Sequence, residues 1–146
     1  MDEELAQAPN RVSVAARRYR ELFGWHTHAV GNAVVATLDA ALGAVVVPAT
    51  VVLDVCSRLE RCGEPCPTLV TADPMHAWLV LANTVDHEPW VDLPLGVRVL
   101  PMSTRLLLPP STVDGREVRW VREPRADKRW LPAVGAVLCA ARTELG

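Results

Sequence analysis

Three groups of side chains in this sequence have types and spacings that chemistry could use. In "CSRLERCGEPC", Cys56, Cys62 and Cys66 lie close together, and thiolates at short range bind zinc when a fourth donor joins them. The spacing is poor for a zinc knuckle. Cys56 falls on an apolar helical stripe and Cys139 in the apolar pattern of the last helical segment. Cys62 and Cys66, flanking a "GEP" turn, are then the pair left for a metal, with ordinary thiols as the simpler reading. In "REVRWVREPRADKRW", Arg116, Arg119, Arg122, Arg125, Lys128 and Arg129 are interleaved with Trp120 and Trp130. Cations that pair phosphates beside rings that stack bases suit single-stranded nucleic acid. Glu117, Glu123 and Asp127 interrupt that field, and Trp120 alternates with Val118 as a core-facing residue would, so a solvated hairpin competes. His26 and His28 share one face of a strand, but nothing brings Asp86 and His87 to them as further metal ligands.

The bulk properties bound what these groups can serve. The chain has 146 residues, half of them apolar, and a formal net charge of −2, enough for one domain with its own core and no global attraction to nucleic acid or membrane. The apolar run 44–53 is too short to span a bilayer and is broken by Pro48, and "MDEELAQAPN" lacks the layout of a signal peptide. A cytoplasmic protein with reduced thiols is expected. Residues 1–10 are expected to be a flexible acidic start and 11–146 the folded domain. No Gly-rich phosphate loop, nucleophile elbow or paired-carboxylate motif is present.

The elements that must position the candidates follow from periodicity. Val12, Ala15, Ala16, Tyr19, Leu22 and Phe23 recur at helical spacing, with Arg17, Arg18 and Arg20 outward and Gly24 as the stop. "WHTHAV" and "AVVATL" flank a "GN" turn and predict a hairpin, and "GAVVV" is a third strand. Val51, Val55 and Leu59 recur every four residues beside Val52 and Cys56, which makes 51–59 helical and turns Asp54 toward solvent near a helix start. "TLVT", "HAWLVLA", "GVRVL" and "TRLLL" are short apolar strands, "VDG" is a tight return, and "LPAVGAVLCAARTEL" is a closing helix. This order predicts an α+β single domain, with a mixed or antiparallel sheet flanked by helices.

With the elements placed, the chain resembles, over nearly its whole length, the N-terminal domain of bifunctional DNA primase/polymerases in the archaeo-eukaryotic primase superfamily. "YRELFGW" resembles the helix and "GW" turn with which members open. "GAVVVPAT" is similar to their strand of glycine, four apolar residues, Asp, apolar, Asp, with Pro48 and Thr50 in the two aspartate positions. "CPTLVTADPMHAWLV" puts His76 in the histidine position, after a turn one residue shorter and without the usual glycines. "GVRVLPMSTRLLLPPS" matches in length and puts Arg98 in the third acidic position. "PPSTVDGREVRW" resembles the return hairpin, without the histidine usual after "PPS".

The resemblance implies a primase/polymerase-like fold and a changed chemistry. Nucleotidyl transfer of that kind needs divalent cations held by carboxylate oxygens. Proline offers no ligand, threonine a neutral hydroxyl, and arginine repels a cation. The leading expectation is therefore a catalytically inactive domain, with no catalytic residues and no cofactor, acting as a binding or regulatory module through contacts with an unidentified protein. With no helicase-like segment, it is not expected to be a self-contained replication machine. Trp78 and Trp90 could contribute to such an interface, though Trp78 is equally suited to the core, and self-association remains open. The alternative is metal-independent binding of nucleotide or single-stranded nucleic acid, using the basic hairpin, the helix arginines and an anion site at His76 and Arg98, against which stands an ordinary strand-start histidine. A nucleotidyltransferase whose chemistry the substitutions hide is the third reading.

Overall fold

A computed structural model describes residues 2–64, 66–70, 78–82, 92–127 and 131–145. The chain is α+β, as the order of periodic segments predicts. Helix α1 (Asp2–Phe23) leads to β1 (Thr27–Val30), β2 (Ala33–Thr37) and β3 (Gly43–Val47), and α2 (Val52–Arg61) follows. Then come β4 (Thr68–Val70), β5 (Trp78–Ala82), β6 (Arg98–Val99), β7 (Arg105–Leu108), β8 (Thr112–Val113), β9 (Arg116–Glu117) and β10 (Arg119–Arg122), and α3 (Val134–Leu145) closes the chain. The strands form a five-stranded sheet in the order β10-β4-β5-β3-β6, a three-stranded sheet β1-β2-β7, and the small β8-β9 pair. Every pairing among the described residues is antiparallel. No helix among them is long and apolar enough to cross a membrane.

Strand β3 explains its own composition. All five of its residues are buried, because it lies inside the larger sheet and has a core on each face. Ala44 and Val46 join a core with Val12 and Ala16 of α1, Trp25, Val34 of β2 and Leu108 of β7. Val45 and Val47 point the other way, into a core built with Val55 and Leu59 of α2 and Val137 and Leu138 of α3. A strand covered on both sides reads as a continuous apolar run rather than an alternation.

The turns between these elements follow their sequence signals. Gly24 has φ 73° and its amide donates to Arg20 O at 2.9 Å, the left-handed cap that ends α1 and aims Trp25 into the core. In the β1–β2 hairpin Val30 pairs with Ala33 and Gly31 has φ 57°, which the first position of a type II′ turn requires. Helix α2 buries Val52, Val55, Cys56 and Leu59, leaves Asp54 exposed in its first turn, and starts where the Val51 and Val52 amides donate to Pro48 O at 3.1 Å.

The helical backbone of α1 begins at Asp2, in a stretch where Glu, Leu, Ala and Gln all favour helix. Two expectations are corrected. Leu22 is 39% exposed, because the buried line of α1 runs through Val12, Ala16, Tyr19 and Phe23 and Leu22 falls beside it. Cys139 is exposed, off the α3 stripe of Val134, Val137, Leu138 and Ala141.

Ser111 ties β2 to the end of β7 in the three-stranded sheet. Its buried hydroxyl accepts from the Val34 amide at 2.7 Å and donates to Leu108 O at 2.6 Å. Ser111→Ala leaves that amide without its partner in a dry site and should lower unfolding free energy by about 1–3 kcal/mol, read as a lower urea midpoint with unchanged slope.

Candidate functional site

The acidic positions of the resemblance meet at one corner of the larger sheet. Val46 of β3 pairs with Arg98 of β6, and Val45 with Val99, so the strand that ends at Pro48 runs beside the strand that carries Arg98. Being opposite Val46, Arg98 leaves the sheet on the face of Val46, and its side chain is exposed. Pro48 is half-buried and Thr50 exposed. Gly96 holds the corner tight: its φ is 86°, and a Cβ built there would lie 2.9 Å from Pro48 Cγ. Pro48 thus lies beside the strand that carries Arg98, with Thr50 two residues further along the chain, and the three present a ring, a hydroxyl and a guanidinium. His76 lies outside the described residues.

The basic segment is not one hairpin. Val118 is buried and its amide donates to Ser111 O at 3.0 Å, which divides the segment between two sheets. Arg116 on β9 pairs with Val113 of β8, while Arg119 and Arg122 on β10 pair with β4. Arg122 Nε lies 2.8 Å from Glu60 Oε1, and Arg125 Nη2 lies 2.7 Å from Asp127 Oδ2. Each carboxylate raises the pKa of its guanidinium, chiefly by accepting its hydrogen bonds. Arg116 and Arg119 are exposed. Lys128 and Arg129 lie outside the described residues. The charges read as one patch are therefore spread over separate elements, and Arg122 and Arg125 are matched by acids.

The cysteines are arranged differently from the spacing argument. Cys62 is exposed and Cys66 buried, and Cys66 shares a buried cluster with Cys56, whose Sγ lies 3.2 Å from Thr68 Oγ1. The neighbouring Cys66 thiol is the first cause that holds Cys56 down at about 7, against desolvation and with help from Thr68 and Arg122. Cys66, beside Cys56 and buried, is pushed up. Among the described residues no three His, Cys, Asp or Glu side chains are grouped to hold a metal ion. His26 and His28 are exposed, and Asp86 and His87 lie outside the described residues.

Two concave sites were not legible in the sequence. A cleft of about 600 Å³ opens over Cys66, between Glu60 and Gly63 on one side and Arg122 and Arg125 on the other. A groove of about 500 Å³ runs between α1 and the chain around β10, lined by Tyr19, Leu22, Phe23, Pro109, Pro110 and Trp120. Behind it Trp25 stacks on Phe23 and Tyr19 at centroid distances of 4.8 and 5.8 Å, and Trp120 meets Tyr19 edge-on at 6.2 Å. Trp120 Nε1 donates to Tyr19 Oη at 3.1 Å, and Tyr19 Oη donates to Pro109 O at 2.7 Å. Burial raises the Tyr19 phenol above its ordinary pKa. These bonds satisfy the polar ends of both rings internally, and the groove lining combines the rings and prolines with Arg18 and Glu123. The aromatic composition of "YRELFGW" and the "PP" pair was the available signal; their meeting was not.

The Gly96–Pro48 contact gives a direct test of the corner. Gly96→Ala should cost at least about 1–3 kcal/mol from its positive φ alone, and more through Pro48. Adding Pro48→Ala should recover the contact part and leave the backbone part, measured as urea midpoints of the two variants. No family model, curated protein or solved structure matches this chain, so the geometry and the sequence resemblance carry the functional reading.

Proposed function

We propose that this chain is a catalytically inactive primase/polymerase-like domain that acts as a binding module through protein contacts, with the groove between α1 and β10 as the contact surface. The observation that carries it is the cluster of aromatic rings and prolines lining that groove, together with the exposed aliphatic side chains of α1. Val14 and Leu22, on α1, are 47% and 39% exposed, and eight residues apart on a helix they lie near one face with Arg18 between them. Tyr19 and Phe23 are half-buried and held rigid by the stack with Trp25. Rigid aromatic walls and a few exposed aliphatics, with one charge of each sign in the lining at Arg18 and Glu123, suit a partner polypeptide. Stacked bases with phosphates would need a row of cations along the groove; among the described residues Arg18 is the one cation that lines it, and Arg122 and Arg125 pair with Glu60 and Asp127.

The reading of the corner has its own support. Pro48, Thr50 and Arg98 occupy neighbouring positions that in the resembled family are acidic, and none of the three can neutralise a divalent cation. Restoring the acids in a Pro48→Asp, Thr50→Asp, Arg98→Asp variant should create Mn²⁺ binding, measured by calorimetry, that the parent lacks. A folded triple variant that binds no more Mn²⁺ than the parent would remove the equivalence of these positions with the family's acids.

For the groove, Leu22→Glu changes an exposed side chain and should leave stability within about 0.5 kcal/mol. A partner captured by the parent from nuclease-treated extract of the native organism should lose roughly tenfold or more in affinity for this variant. Capture unchanged by Leu22→Glu, or recovery of nucleic acid alone, would overturn the protein-contact reading.

A further inference from the structure

We propose that Cys56 and Cys66 form a redox-modification site, a buried dithiol that hydrogen peroxide entering from the cleft converts to an intramolecular disulfide. Helix α2 and the segment leading into β4 bring the two side chains into one buried cluster. Thr68 Oγ1 lies 3.2 Å from Cys56 Sγ and 3.2 Å from the Cys66 carbonyl oxygen, which fixes both cysteines against the first residue of β4. Cys66 lines the cleft of about 600 Å³ with Gly63, Pro67 and the Glu60–Arg122 ion pair. The pair is set apart from Cys62 and Cys139, which are exposed.

The same geometry selects the oxidant. Cys66 is 3% exposed and Cys56 fully buried, so a peptide-sized disulfide such as oxidised glutathione has no line of approach. Hydrogen peroxide is neutral and close to water in size, and it reaches the sulfurs from the Cys66 side. The reaction balances as two thiols and one peroxide giving one disulfide and two waters. The Cys56 thiolate attacks one peroxide oxygen, the O–O bond breaks, and hydroxide leaves to be protonated to water. The Cys66 sulfur then attacks the sulfenic sulfur of Cys56, the S–O bond breaks, and the second water leaves with the Cys66 proton. Arg122 on the cleft wall favours the thiolate and Glu60 opposes it, so the ion pair between them limits how far either acts. The product ties α2 covalently to the start of β4, beside the cleft.

The test uses the full chain carrying Cys62→Ser and Cys139→Ser, which removes both exposed thiols and leaves the core intact. After titration with hydrogen peroxide, alkylation and proteolysis without reductant, mass spectrometry should find the Cys56 and Cys66 peptides linked and lighter by two hydrogens. The alkylatable thiols should fall from two to none and return with a reductant. The parent chain treated in parallel supplies the comparison. The proposal is overturned if Cys56 and Cys66 stay reduced in the folded protein at peroxide levels that oxidise Cys62 and Cys139 of the parent. It is overturned equally if Cys66 of the parent links to Cys62 in place of Cys56.

Discussion

Burial of β3 on both faces is the constraint on which the other arrangements depend. A strand with no polar face must be covered twice, and the chain supplies α1 with the β1-β2-β7 sheet on one side and α2 with α3 on the other. Its neighbours in the sheet follow, since the interior edges of β3 must be paired by β5 and β6 to satisfy its backbone. Its end is fixed just as firmly. Pro48 cannot donate to a ladder, its carbonyl accepts the first amides of α2, and Gly96 leaves the room its ring requires. One buried strand therefore sets the position of Pro48, Thr50 and Arg98 together.

The first core has a second organiser, the polar ends of its aromatic residues. Tyr19 and Trp120 sit on different elements and are joined by a hydrogen bond, with the phenol donating its own to Pro109 O. Each ring would otherwise bring an unsatisfied donor into a partly dry site, at a cost that outweighs a good deal of apolar contact. The same chain of bonds turns these polar atoms inward, so satisfying the core leaves aromatic rings and prolines among the residues that line the groove.

The legibility of the structure divides along the range of the interactions. Strand β3, the α2 stripe of Val52, Val55, Cys56 and Leu59, the solvent position of Asp54 and the Gly24 and Gly31 turns were all readable, because local steric and periodic rules decide them. Leu22 and Cys139 were misread at stripe edges, where exposure depends on what packs alongside. The basic segment looked continuous, yet the buried Val118 divides it. The Arg122–Glu60 pair spans 62 residues and the Tyr19–Pro109 bond spans 90, and no local pattern encodes either. For the cysteines, spacing offered Cys62 and Cys66 as the pair. The burial of one face of α2 selected Cys56.

Electrostatics and burial together separate the three concave or corner sites by what each can hold. At the corner of β3 and β6 the exposed guanidinium of Arg98 disfavours a cation and has no carboxylate at Pro48 or Thr50 to offset it. In the groove the lining carries one charge of each sign, Arg18 and Glu123, and the internally satisfied aromatics offer area rather than hydrogen bonds. Over Cys66 the cleft is lined by Glu60 and Glu123 together with Arg122 and Arg125, so neither sign of charge dominates there. The arginines that run together in the sequence are thus divided by the fold: Arg116 lies in the β8-β9 pair, Arg119 and Arg122 lie in the larger sheet, and Arg122 and Arg125 pair with Glu60 and Asp127.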